Sequence, residues 1–453
     1  MTQLHLPDIL RPPTIPAELD VPMLLVEQLV LRRTFVLEQT TTHQLEQDIG
    51  LDIEIVDKAF ESLRNKKHVN VLGLTGSNYR FELTSVGRSR AEDAMARCSY
   101  NGVTPVSLRR YSDVVQLLRA ESHLDAADVQ RALADLVVSD ELIERVGPAF
   151  ATQRPILLHG PSGTGKTSIA ERLVRLYDDA VAIPHSVEVD GQIIIVFDPI
   201  VHRPLANQPE GLDPRWVICE RPMVVAGGEL ELGMLDLKRD PVSGIYMAPL
   251  QMKANNGLLV VDDFGRQMIP PASLLNRWIV PLERRVDYLT LDYGLKFVIP
   301  FELLVVFSTN IPPLELGDEA FFRRIPNKIH VGAVTAAEFD QITELALDKC
   351  GFVQGTGDPR MFRQLCEEVG VTSLRPCIPI DVCRIARSIC DFERLPVVLS
   401  REVALRAAEM YFTASATRAE TRTSMLASPS EAINVKPPLL SFSKAPVLED
   451  ASV

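Results

Sequence analysis

The chain has 453 residues, of which 46% are hydrophobic and 24% charged, with a formal net charge of −13. That length holds several domains with cores of their own, and the acidic balance excludes a general nucleic-acid coat while leaving room for a local basic face. Seven cysteines without a C-x-x-C pair fit reduced thiols in a cytoplasmic protein rather than a disulfide frame or a zinc site. No apolar run approaches a membrane span, and the N-terminus lacks the charged and apolar regions of a signal peptide.

In chain order, residues 1–20 are Pro-rich and predict an extended, poorly ordered lead. Helical apolar spacing then runs from Pro22 to Gln39 through Leu24, Leu25, Leu29 and Phe35. Thr42 can cap a short helix ending at Ile49. Asp52 can cap another through Asn65, with Ile53, Val56, Phe60 and Leu63 inward. Two strand-like runs, Val69 to Leu72 and Tyr79 to Leu83, flank a Gly-Ser-Asn turn signal, and a helix follows from Ser85 to Arg97. Three helices and a two-stranded wing over residues 21–98 resemble a winged-helix domain. Its third helix starts with Asp52, Glu54 and Asp57, which would repel phosphates. Basic residues (Arg64, Lys66, Lys67, His68, Arg80, Arg88) come only later, so protein docking is favoured over DNA binding.

Residues 99–130 read as a helical linker. Helices are predicted from Ser107 to Ala120 and from Asp125 to Val138. The next stretch, ILLHGPSGTGKT at 156–167, organises the rest. An apolar strand breaks into a Gly-rich turn, and Lys166 and Thr167 open a helix with Ile169, Leu173 and Leu176 on one face. Strand, loop and helix give G-x-x-x-x-G-K-[ST] the context of a phosphate site. Gly160, Pro161, Ser162, Gly163, Thr164, Gly165, Lys166, Thr167 and Ser168 form the cradle. The glycines let backbone N–H groups close on an anion, and the helix N-terminus adds its partial charge. Lys166 is expected on the β- and γ-phosphates, and the Thr167 hydroxyl on Mg²⁺.

A strand-rich stretch from Val187 to Phe197 and a Gly- and Pro-punctuated region follow. In the latter, Tyr246 and Met247 read as an inward-packed hairpin more readily than as an exposed loop tip. GLLVVDDFGRQ at 257–267 is an apolar strand ending in two carboxylates. Asp262 is expected on Mg²⁺ and Asp263 beside the attacking water. LLVVFSTN at 303–310 ends in Asn310, which can hydrogen-bond the γ-phosphate or form an Asx turn before Pro312. Arg323 and Arg324 precede a strand near Lys328 to Val331. Residues 335–413 read as helical, with a Thr335–Glu338 capping box and with Asp358, Asp381 and Ser400 near later helix starts. The Ser-, Thr- and Pro-rich stretch 415–453 predicts a disordered tail.

Phosphate loop, two-acid strand, asparagine strand, paired arginines and helical C-terminal segment, taken in this order, resemble the AAA+ ATPases. The resemblance implies a P-loop NTPase α/β fold, a parallel sheet with helices on both faces, over 131–333, with an α-helical lid over 334–414. It implies ATP and Mg²⁺ as ligands and a ring of identical subunits, hexameric in the family's manner. In such a ring Arg323 or Arg324 acts on the neighbour's γ-phosphate, and hydrolysis remodels a protein client. Two departures stand out. The second acid is usually Glu, and Asp263 is a methylene shorter, so slow turnover is expected. Ile380 stands where the lid arginine is expected; Arg375 or Arg384 could replace it. The alternatives are a DNA-binding transcriptional regulator with a nucleotide-gated assembly module, and a nucleotide-binding scaffold with little turnover.

Overall fold

The computed structural model describes residues 6–76, 78–121, 124–316, 322–353 and 357–412. The predicted tail, the serine of the Gly-Ser-Asn turn and residues 317–321 ahead of the paired arginines lie outside the described residues. Two compact units emerge, one within Met1–Ala346 and Ser373–Ile380, the other within Leu347–Thr372 and Asp381–Val453.

At the N-terminal side of the first unit, Pro22 starts helix Met23–Leu37, Thr41 caps Thr42–Ile49, and Asp52 caps Ile53–Asn65 by accepting from the Glu54 N–H. The last of these buries Ile55, Val56, Ala59, Phe60 and Leu63. Ile55 therefore takes the inward place expected of Ile53, because adjacent pairs spaced four apart form one stripe. Strands Val69–Thr75 and Asn78–Leu83 pair antiparallel, and a short strand Gln39–Thr41, too polar to show a pattern, adds a third. Helix Ser85–Arg97 spans the expected residues.

Residues 6–20 carry two 3-10 turns and are tied down. Leu10 is buried, and its carbonyl accepts from the Asp213 N–H at 2.9 Å. Asp20 accepts from Arg215 at 2.6 Å and from the Ser107 N–H at 2.7 Å. Proline content marks extended backbone; it carries no signal for whether that backbone docks.

The central sheet has five parallel strands in the order Met223–Ala226, Leu258–Val261, Leu304–Thr309, Ile156–His159, Asn327–His330. Its strands read as near-continuous apolar runs because both faces are covered. On one face Leu157, Leu259, Val261, Val305 and Phe307 pack with Leu274 and Trp278 of helix Pro271–Arg284. On the other, Ile156, Leu158, Val260 and Val306 pack with Ile143, Val146 and Phe150 of helix Asp140–Ala151, and with Ile169 and Leu173. Helix Asp140–Ala151 was not expected. It holds Pro148 in its interior, and burial of one face outweighs the hydrogen bond that Pro148 removes. The preceding helix covers only Ala126–Ala132, short of the predicted Val138. The edge strand Met223–Ala226 and the antiparallel pair Val286–Thr290 and Lys296–Pro300 are further elements too short to read from pattern.

A second five-stranded sheet joins Lys238–Arg239, Tyr246–Met247, Gln192–Ile195, Ser186–Val189 and Val106–Ser107. Tyr246 points inward and is 1% exposed. Ile193 of this sheet packs into the N-terminal helical core, so the two regions share apolar contacts.

The predicted helical segment contains Ala336–Lys349, Pro359–Glu368, Cys377–Glu393 and Arg401–Tyr411. The Thr335 and Glu338 side chains each accept from the other's backbone N–H, and Asp358 and Ser400 cap as expected. Asp381 instead lies inside a helix, whose start is set four residues earlier at Cys377. Among the described residues no helix is long and apolar enough to cross a membrane.

Candidate functional site

Because the five strands are parallel, His159, Val261 and Thr309 end on one edge of the sheet, and the loops after them converge there. The strand ending in Thr309 lies between the other two, which places Asn310 beside both the glycine loop and the acid pair.

The glycine loop is close-packed. Gly160 has φ of 147° and Gly163 of 79°. A Cβ on Gly160 would stand 2.2 Å from the Val331 carbonyl oxygen, and one on Gly163 would stand 2.4 Å from the Cys377 sulfur. The Cys377 N–H also donates to the Gly163 carbonyl at 3.3 Å. Segment Ser373–Ile380 therefore lies on the loop, and the Arg375 side chain comes within 3.8 Å of the same Cβ position. Arg384 pairs with Asp381 on its own helix at 3.7 Å.

Lys166 is 7% exposed, and its ammonium donates to the carbonyls of Gly160 and Pro161 at 3.0 and 2.7 Å. Burial pushes its pKa down, while Asp262 and Asp263 pull it back up. One residue on, the Thr167 hydroxyl lies 3.0 Å from both carboxylate oxygens of Asp262. A hydroxyl and a carboxylate so placed are the hard oxygen donors that Mg²⁺ takes. The residues present thus fit a Mg²⁺–nucleotide complex.

Asp263 is exposed, and its backbone is left-handed with φ of 48°. The turn after it is sewn to the neighbouring strand. The Phe264 N–H donates to Ser308 O at 2.7 Å, and the Thr309 hydroxyl donates to Phe264 O at 2.6 Å. Gln267 Nε2 donates to Asp262 O at 2.7 Å. Arg266 Nε donates to Asn310 Oδ1 at 3.1 Å. The sequence reading missed Arg266 and Gln267; their only signal was proximity to the acid pair.

Arg323 and Arg324 lie elsewhere. They precede strand Asn327–His330, whose first residue pairs with Ile156, so they sit at the opposite edge of the sheet from Gly160. Four residues of strand separate the two edges, roughly 13 Å at 3.3 Å per residue. Arg324 Nε is 2.8 Å from Glu283, whereas Arg323 is exposed at a 670 Å³ cavity shared with Arg154 and Asn327.

The family described as Domain of unknown function (DUF8689) matches residues 335–410. No curated protein matches the chain. Among solved structures, the chain is similar to a point mutant of Thermotoga maritima RuvB at 14% identity, over 64% of this chain and 73% of that one, with a TM-score of 0.34. It is also similar to NtrX from Brucella abortus at 11% identity, over 66% of this chain and 61% of that one, with a TM-score of 0.42.

Proposed function

We propose that the chain is an ATP hydrolase of the AAA+ type that assembles as a ring and uses hydrolysis to remodel a protein partner. The observation that carries this reading is the Thr167 hydroxyl set 3.0 Å from both Asp262 oxygens, immediately after a glycine loop. That pairing joins the two sequence motifs in space across 95 residues.

Bound Mg²⁺ would supply neutralisation of the phosphate charge. Thr167 and Asp262 would hold it, directly or through water. Lys166 would exchange its loop carbonyls for the β- and γ-phosphates. Asp263 would accept the proton of the attacking water, and Asn310, its oxygen held by Arg266, would present its amide nitrogen to the γ-phosphate or the water. Arg375, beside Gly163, takes the lid-arginine role in preference to Arg384. Arg323 is the better finger, because Arg324 is engaged by Glu283. Placed one strand length from its own loop, Arg323 would serve a neighbouring copy.

Protein remodelling is favoured over DNA regulation because two of the N-terminal basic residues are already used internally. Lys66 donates to Glu27 at 2.5 Å, and Arg88 lies 5.6 Å over the Phe35 ring. The test is ATP turnover by the full chain with Mg²⁺, with and without duplex DNA. Turnover independent of DNA fits this reading. Absence of turnover in the presence of demonstrated ATP binding would leave the scaffold reading, and strong stimulation by DNA would favour the regulator.

A further inference from the structure

The turn after the acid pair holds a cation at the edge of the sheet where the glycine loop lies. The Arg266 N–H donates to Asp263 O at 2.9 Å. The Gly265 N–H donates to Gln267 Oε1 at 2.8 Å, and Gln267 Nε2 returns to Asp262 O at 2.7 Å. A Cβ on Gly265 would stand 2.7 Å from both Ile311 Cδ1 and Leu316 Cδ2, so the turn rests on the segment that follows Asn310. These contacts set the Arg266 side chain beside Asn310, and its Nε donates to Asn310 Oδ1 at 3.1 Å.

Most of that guanidinium is unspent. A guanidinium carries N–H donors on three nitrogens, and here the Nε donor goes to Asn310. Among the described residues the exposed Arg266 side chain meets no other acceptor, and it forms no ion pair, not even with the nearby exposed Asp263. The other arginines considered for the site are placed differently. Arg324 is engaged by Glu283 at 2.8 Å and Arg384 by Asp381 at 3.7 Å. Arg323 stands at the far edge of the sheet, and Arg375 lies against Gly163. Arg266 is the arginine bonded to Asn310, which is itself set between the loop and the acids.

We propose that Arg266 contacts the γ-phosphate of the nucleotide held by its own chain and makes the site discriminate ATP from ADP. This role rests on the phosphate-loop reading above and adds to it the group that reads the terminal phosphate. The γ-phosphoryl group carries the charge that distinguishes the two nucleotides. A guanidinium meets phosphate oxygens through charge-assisted N–H bonds that are often paired. With Nε on Asn310, the two Nη groups remain for those oxygens, so one arginine orients the asparagine amide and binds the phosphate. Because the turn is already fixed to the neighbouring strand, little ordering is left for the moment of binding.

The experiment uses the full chain with Mg²⁺. Calorimetric titrations compare ADP with the β,γ-imido analogue of ATP, which keeps the γ-phosphate and is not hydrolysed. In Arg266→Ala the affinity for the analogue should fall roughly tenfold or more, the loss of a charge-assisted contact, while that for ADP stays within about twofold. Arg266→Lys keeps the charge without the planar fork and should lie between the parent and Arg266→Ala. Arg266 is exposed, so its substitution spares the core, and urea unfolding checks that the variants are folded. An unchanged affinity for the analogue in Arg266→Ala, or equal losses for both nucleotides, would overturn the role of Arg266 and leave the phosphate-loop reading standing. A parent chain that binds neither nucleotide would overturn both.

Discussion

The left-handed backbone at Asp263 gives a physical reason for the short acid. At a φ of 48° a side chain crowds its own carbonyl, and Asp and Asn tolerate this better than Glu. The turn that imposes this conformation is fixed by the Phe264, Thr309 and Arg266 hydrogen bonds to the adjoining strand. Asp263→Asn keeps the backbone preference and removes the base. It is expected to bind ATP with the parent affinity while turnover falls on the order of 10²–10⁴-fold. Asp263→Glu is expected to remain active and to lose about 1 kcal/mol of stability in urea unfolding. Parent-like turnover in Asp263→Asn would place the base elsewhere. Lys166 is the second residue with a double role, because without phosphate its ammonium holds two loop carbonyls. Lys166→Ala should weaken Mg²⁺–ATP binding about a hundredfold, the equivalent of one charged contact of about 3 kcal/mol. It should lower stability by about 1–2 kcal/mol without loss of cooperative unfolding. An unchanged affinity in calorimetry would refute the phosphate-loop assignment.

At the scale of elements, the helix after the loop is too short to hold itself. Lys166–Arg172 has seven residues and continues as a 3-10 turn, Leu173–Leu176, so tertiary contacts fix it. One of these is polar. Asp135, in the turn after helix Ala126–Ala132, accepts from Arg172 Nη2 at 2.9 Å and from Arg175 Nη1 at 2.7 Å. Chiefly through the Arg172 hydrogen bonds, its carboxyl is held down at about 2, against 3.8 when free. A carboxylate depressed in the folded state stabilises above its unfolded pKa and loses that contribution as the pH falls through the folded one. The stability difference between the parent and Asp135→Asn should therefore be full above pH 3.8 and vanish as the pH falls to about 2. With its side chain 40% exposed, Asp135 contributes below about 1 kcal/mol. Urea midpoints across that window measure it, and a difference independent of pH would show that the ion pair contributes nothing.

At the scale of the whole molecule, the proposed chemistry needs more than one copy. Arg323 stands about one strand length from the loop of its own chain, too far for its side chain to reach its own γ-phosphate. A guanidinium at the reacting phosphate of a partly dry site stabilises the transition state by several kcal/mol, so its position matters only if another copy's loop comes to it. ATP should promote a ring, expected as a hexamer. Mixing two inactive variants, Lys166→Ala and Arg323→Ala, should restore part of the ATPase activity, because some interfaces then pair an intact loop with an intact arginine. Arg324→Ala, which breaks the pair with Glu283, should affect stability more than turnover. Absence of recovery in demonstrated mixed assemblies would refute the action in trans.

What the sequence determined by itself was local in origin. The apolar strand, the glycine spacing and Lys166–Thr167 specify the loop, because its chemistry needs those residues within a dozen positions. The helix caps at Asp52, Thr335 and Ser400 were legible for the same reason: donor and acceptor lie within four residues. Tertiary structure decided whatever depends on pairing between distant strands. The order of the central sheet places Asn310 between loop and acids, joins Thr167 to Asp262 across 95 residues, and sends Arg323 to the far edge. It also revealed helix Asp140–Ala151, which carries Pro148 in its interior. Burial against the sheet is a long-range energy, and the residues that supply it are scattered over the chain.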